Sequence, residues 1–201
     1  PAPKDGQWHR IRIAGGLGGH SGVDINKGRC SAVEQTKIIL RVIRKEENIE
    51  VADIQIGEAN ASIASSGEMV IWTENNGASE FVKELLDNIN QKFRRQYEGT
   101  DPRITCTMEA CEKREVVIPK ETVTALVRSL EKVPQGVVKM SAAMPGTVET
   151  SNNVGRIVAE EDHLFVSTHT RSFVDDDMAA LSKTIAATFA EAGAVSEVVM
   201  S

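Results

Sequence analysis

Trp8-His9-Arg10-Ile11-Arg12-Ile13-Ala14 runs directly into Gly15-Gly16-Leu17-Gly18-Gly19-His20-Ser21-Gly22-Val23-Asp24-Ile25. The first stretch alternates, with His9, Ile11 and Ile13 on one face and Trp8, Arg10 and Arg12 on the other, the mark of a half-buried strand. The second gathers five of the chain's 15 glycines around one histidine. Glycines there let the backbone turn with positive φ and lie close to a ligand or to another backbone. The loop spells neither G-x-G-x-x-G nor a glycine-rich run ending in Gly-Lys-Ser/Thr, so neither a dinucleotide fingerprint nor a phosphate loop applies. Taken alone it is either a plain strand-to-helix connection carrying an exposed His or a loop that presents His20 to a ligand.

Downstream, Ser31 and Glu34 have capping-box spacing and predict a helix to about Arg44. Ala52, Ile54 and Ile56 alternate with Asp53 and Gln55, and Met69–Thr73 follows after a turn at Ser65-Ser66-Gly67, giving a hairpin. Phe81, Leu85, Ile89, Phe93 and Tyr97, with Val82 and Leu86, put one continuous apolar face on a second helix that Gly99 and Pro102 end. Ile104, Cys106, Met108 and Ala110 then alternate as a strand. This βαββαβ order predicts a four-stranded antiparallel sheet with both helices on one face.

The second half reads as a similar cycle. Pro119 precedes a helix through Val123, Leu126, Val127 and Leu130, and Val137–Met140 is a strand. Val154–Val158 and Leu164–Thr168 form a hairpin, and a helix follows from Asp175 and Asp176 to Gly193. Val195–Met200 closes as a strand. The expected fold class is therefore α+β: two ferredoxin-like βαββαβ-type halves, about 1–114 and 115–201, within one antiparallel sheet.

The 201 residues, 41% of them apolar, suffice for one sizeable core or two small ones. At 4% aromatic residues that core must be aliphatic. A net charge of −6 with scattered cations argues against a nucleic-acid partner, and no apolar run is long enough to span a membrane. The three cysteines, Cys30, Cys106 and Cys111, form no C-x-x-C and point to reduced thiols in a cytoplasmic setting. A start at Pro1 so close to a strand reads as a piece of a longer protein.

Gly18-Gly19-His20-Ser21-Gly22, Asp24-Ile25 and Gly28-Arg29 resemble the opening of the lid, or dimerisation, domain of cytosolic aminoacyl-histidine dipeptidases (peptidase D), a branch of the M20 zinc metallopeptidases. Met144-Pro145-Gly146, then Val148-Glu149-Thr150-Ser151-Asn152-Asn153-Val154-Gly155, then Thr170-Arg171-Ser172 are similar to that family's later motifs in order and approximate spacing. The resemblance implies that residues 1–201 are a single lid domain of a zinc-dependent dipeptidase. Two zinc ions and a Glu base would then sit in a catalytic domain of the same polypeptide that this chain does not contain. It implies that the chain itself binds no cofactor and is inactive alone. No His is followed by the H-x-D pattern, and Glu46-Glu47 and Glu160-Glu161 read as solvated charge.

By the same resemblance His20 would stabilise the oxyanion of the scissile carbonyl. Arg171, helped by Ser172, would hold the dipeptide's C-terminal carboxylate. The family's Asn-Ala-Ile-Pro is replaced here by Asn60-Ala61-Ser62-Ile63-Ala64, so Asn60 reaches the substrate position only with a one-residue shift. His20 and Asp24 are spaced to bind a metal on a helix, but Gly22 between them argues against a helix, and no metal ligand is assigned. The implied partners are the catalytic domain, a dipeptide and, through an exposed edge strand, a second copy. The alternative is a free-standing ferredoxin-like module that binds a ligand or pairs subunits without catalysis.

Overall fold

The computed structural model describes residues 1–3 and 5–199. Its elements in chain order are β1 (Gln7–Ala14), α1 (Ala32–Ile43), β2 (Ile49–Ile56), β3 (Gly67–Thr73), α2 (Asn76–Gln96) and β4 (Thr105–Ala110), followed by α3 (Lys120–Lys132), β5 (Gly136–Met140), β6 (Val148–Ala159), β7 (Leu164–Ser172) and α4 (Asp175–Glu191). The alternation read in β1 is realised: Ile11 and Ile13 are fully buried and Arg12 is exposed. Ser31 caps α1, its hydroxyl accepting from the Glu34 N–H at 3.5 Å.

The inner-face residues Ile11, Ile13, Ile54, Ile56, Met69 and Ile71 join Ile39 and Leu40 of α1, Val82 and Phe93 of α2, Val127 of α3 and Ile185 of α4 in one core. Each large aliphatic side chain removed from water there contributes about 1.5–3 kcal/mol. All helices therefore cover one face of the sheet. The other face is open except where Trp8, Val70 and Trp72 form a small cluster. A register shift between Val51 and Asp53 admits both Val51 and Ile54 to the core and turns Ala52 toward the tryptophans.

One antiparallel sheet runs in the order β4-β1-β3-β2-β6-β5, with β7 also on β6. The first four strands are the expected βαββαβ arrangement. The second half departs from it. It opens on α3, and β5, β6 and β7 then form a meander with no helix between them. No closing strand completes it: residues 194–199 have no regular structure, with Val195 99% exposed, and Met200 lies outside the described residues. An apolar run of strand composition stays irregular when its backbone groups pair with no neighbouring strand. Among the described residues no helix is long and apolar enough to cross a membrane.

The seam between the halves positions the site. β7 pairs with β6 along one whole edge, from Thr150 to Ala159. The other edge of β6 is therefore divided, β5 taking 148–152 and β2 taking only Ile157 and Val158. The loop after β2 fills the gap. Asn153 donates to the Ser62 carbonyl at 2.8 Å, and Gly57, at φ +77°, lies directly against the Gly155 carbonyl, where a Cβ has no room.

Candidate functional site

The glycine loop lies along that seam. Ser21 N–H donates to the Ala61 carbonyl at 3.0 Å, Ile63 N–H to Gly19 at 2.9 Å and Gly16 N–H to Ser65 at 3.2 Å, and His20 bridges Ser62. Its two ends are tied by one carboxylate. Asp101, fully buried, accepts the Leu17 N–H at 2.5 Å and the Cys30 N–H at 2.8 Å. Asp24 fixes the middle, accepting His20 N–H at 2.9 Å and Lys27 at 2.7 Å, with Arg29 at 3.4 Å. The Lys27 hydrogen bond, followed by the His20 N–H, holds the Asp24 carboxyl below the usual range. Arg29 also donates to the Gly18 carbonyl at 2.6 Å. Residues 21–26 are turns rather than helix, and the Asp24 carboxylate bonds the His20 N–H and Lys27 instead of standing beside the His20 ring.

His20 and Arg171 come together across 151 positions of sequence. The His20 Nε2 lies 3.2 Å from an Arg171 terminal nitrogen, and Arg171 Nε donates to the Ser21 hydroxyl at 3.4 Å. The ring's other nitrogen, Nδ1, accepts from the Gly22 and Val23 N–H groups at 3.2 and 3.3 Å. This has a chemical consequence. A neutral imidazole has one acceptor nitrogen; Nδ1 as acceptor puts the proton on Nε2, where it meets a guanidinium that can only donate. Two donors then converge with no acceptor between them, an arrangement that an anionic oxygen relieves.

Ser172 is not part of this cluster. It follows Arg171 on a strand and so projects to the other face, where its hydroxyl lies 2.9 Å from that of Thr150 and accepts the Val174 N–H at 3.1 Å. Asn60 is exposed in the turn before Ser62, its carbonyl packed against Gly155.

Three further residues, His169, Asn153 and Asp101, border the loop or the pair, and His169 is the sheet residue its place in the sequence suggests. His169 shares the Arg171 face of β7 and lies opposite Asn153; burial, then Arg171 and His20, push its pKa down. Its position two residues before Arg171 was the available signal. Asn153 lies in the motif-like stretch 148–155, but its tie to the loop, like that of Asp101, comes only from the register and the tertiary fold.

The Asp24 carboxylate is committed to the loop, and among the described residues no three His, Cys, Asp or Glu side chains form a group able to hold a metal ion. Glu160 and Glu161 are exposed.

The chain resembles dipeptidases of the M20 peptidase D type over most of its length, in sequence and in fold. The cytosol non-specific dipeptidase of Escherichia coli (strain K12) is 22% identical over 184 residues, a match covering 86% of this chain and 36% of that protein. Aminoacylhistidine dipeptidase from Vibrio alginolyticus superposes with a TM-score of 0.90 at 23% identity, covering 96% of this chain and 39% of that one. The chain thus spans little more than a third of either relative. No protein-family model matches it.

Proposed function

We propose that this chain is the lid of a cytoplasmic zinc-dependent dipeptidase, and that His20 and Arg171 bind the two oxygen-bearing groups of a dipeptide. The observation that supports it is the 3.2 Å approach of His20 Nε2 to an Arg171 nitrogen while the ring's Nδ1 accepts two backbone N–H groups. In a dipeptide the scissile carbonyl is joined to the terminal carboxylate through one nitrogen and one Cα. Donors for both groups must therefore lie close together. Arg171 offers the carboxylate a planar fork of parallel N–H bonds. His20, its ring fixed by two backbone N–H groups on Nδ1, directs Nε2–H at the carbonyl oxygen as negative charge develops.

One such donor is worth on the order of 3 kcal/mol in the transition state. The metals, the general base and the remaining structure belong to a catalytic domain of the same polypeptide; this chain acts on that domain and is inactive without it. Ser172 then supports Arg171 only through the backbone it fixes, and Asn60 contributes at most from the rim.

In the full-length enzyme, His20→Ala is expected to lower kcat on the order of 100-fold with zinc content unchanged. Arg171→Ala is expected to raise KM for dipeptides with a free C-terminus and to erase the preference over amidated ones. Loss of zinc from the His20 variant, or an unaltered preference in the Arg171 variant, defeats the assignment.

A further inference from the structure

The open face of the sheet carries a second feature. A cleft of about 320 Å³ lies where β2 hands over to β6, lined by Arg12, Gln55, Glu58, Glu68, Arg156 and Val158 among others. Its charges are unevenly matched. On one wall Arg12 is held by Glu68 at 3.4 Å and Glu109 at 3.8 Å. On the other, Arg156 has no carboxylate within ion-pair distance among the described residues, and its buried Nε has no hydrogen-bond partner. The Arg156 guanidinium is also oriented, its carbon 5.8 Å from the centroid of the Phe165 ring. Glu58, exposed on the rim, is likewise without a cation among the described residues.

An oriented guanidinium and a free carboxylate thus border one cavity without pairing with each other. We infer that this cleft binds the zwitterion of a small free α-amino acid, its carboxylate on the Arg156 fork and its ammonium toward Glu58. A lone anion would gain from Arg156 but meet Glu58, and a lone amine the reverse; only a ligand carrying both charges gains from both residues. The cleft is large enough to admit a molecule of that size. Arg156 lies opposite Ser167 on β7, four residues and so about 13 Å of strand from Arg171. This inference stands independently of the role proposed for Arg171.

The test is a titration of the isotopically labelled chain with glycine and alanine, followed by amide and Arg side-chain NMR, with acetate, ethylamine and inorganic phosphate as partial ligands. Saturable shifts at Gln55, Glu58 and Arg156 are expected in the millimolar range for the amino acids, with acetate, ethylamine and phosphate each binding at least 10-fold more weakly. Arg156→Gln and Glu58→Gln should each weaken binding about 10-fold or more, while Arg171→Ala leaves it unchanged. Equal binding of phosphate or acetate, shifts that disappear with Arg171→Ala, unchanged affinity in the Arg156 variant, or no saturable shift at all overturns the inference.

Discussion

Removing the Asp101 carboxylate tests how the loop is held. One oxygen accepts Leu17 N–H at 2.5 Å and the other Cys30 N–H at 2.8 Å, so a single side chain closes a loop that carries His20 between its ends. A hydrogen bond to a charged group contributes about 1.5–3 kcal/mol, and a buried N–H left without a partner costs about 1–3 kcal/mol. Cys30 is fully buried, so its N–H pays the full penalty in Asp101→Ala. Leu17 is 53% exposed, so water can reach its N–H and reduce the loss there. The expected total is about 2–5 kcal/mol, a large share of the roughly 5–15 kcal/mol that stabilises a domain.

Asp101→Asn retains one acceptor oxygen and sets an amide N–H against the other donor, so about half that loss is expected. Urea denaturation of the three proteins, fitted with a common m value, gives the ranking. Hydrogen exchange locates it: amides from Gly18 to Asp24 should exchange faster in both variants, while those pairing β1 with β3 should follow global stability. A loss below about 1 kcal/mol for Asp101→Ala, or equal losses for Ala and Asn, refutes the two-ended brace.

Two further outcomes follow from the same geometry. A Cβ at Gly22 would sit 3.1 Å from Arg171 Cδ and 3.2 Å from His20 Cε1; Gly22→Ala should separate the pair, shifting the His20 ring resonances and lowering turnover of the full-length enzyme, with stability changed by no more than about 1 kcal/mol. His9 is buried, its Nε2 3.0 Å from the Thr73 hydroxyl and 3.1 Å from that of Ser79, and burial, then Lys83, push its pKa below 6.5. The unfolded chain therefore takes up this proton first as the pH falls. Its contribution is complete above pH 6.5 and is lost as the pH drops toward the folded value. Denaturation midpoints measured across that range should fall with acid in the wild type and fall less in His9→Gln; parallel slopes would remove His9 from the account.

The elements that apolar periodicity specifies were legible. β1, α1 and α2 each place a repeating hydrophobic face on the core, and Ser31 marks the start of α1 in residue type as well as in space. The hairpin of β6 and β7 was read too short, at Val154–Val158 and Leu164–Thr168, and the reason bears on the site. The omitted part of β6 includes Thr150-Ser151-Asn152-Asn153, four polar residues that are all buried. Their side chains find partners that hydropathy cannot reveal. Asn152 donates to the Pro134 carbonyl at 2.8 Å and accepts from Thr170 at 3.0 Å, and Asn153 joins Gln135 at 3.0 Å to Ser62 at 2.8 Å.

A satisfied polar run can occupy a strand interior as well as an apolar one, but it leaves no alternation to read. That buried run is what extends β7. Thr150, Ser151, Asn152 and Asn153 pair in turn with Ser172, Arg171, Thr170 and His169, so the part of β7 bearing the arginine is a strand because its neighbour buries amides and hydroxyls. Shortened to its apolar portion, β7 would end at Thr168 and leave Arg171 in a loop with no fixed direction. Paired to its full length, it holds Arg171 against His20 and carries His169 onto the same face. The residues that resemble a dipeptidase motif between 148 and 155 therefore act first as a structural ladder, and through that ladder they fix Arg171 beside His20.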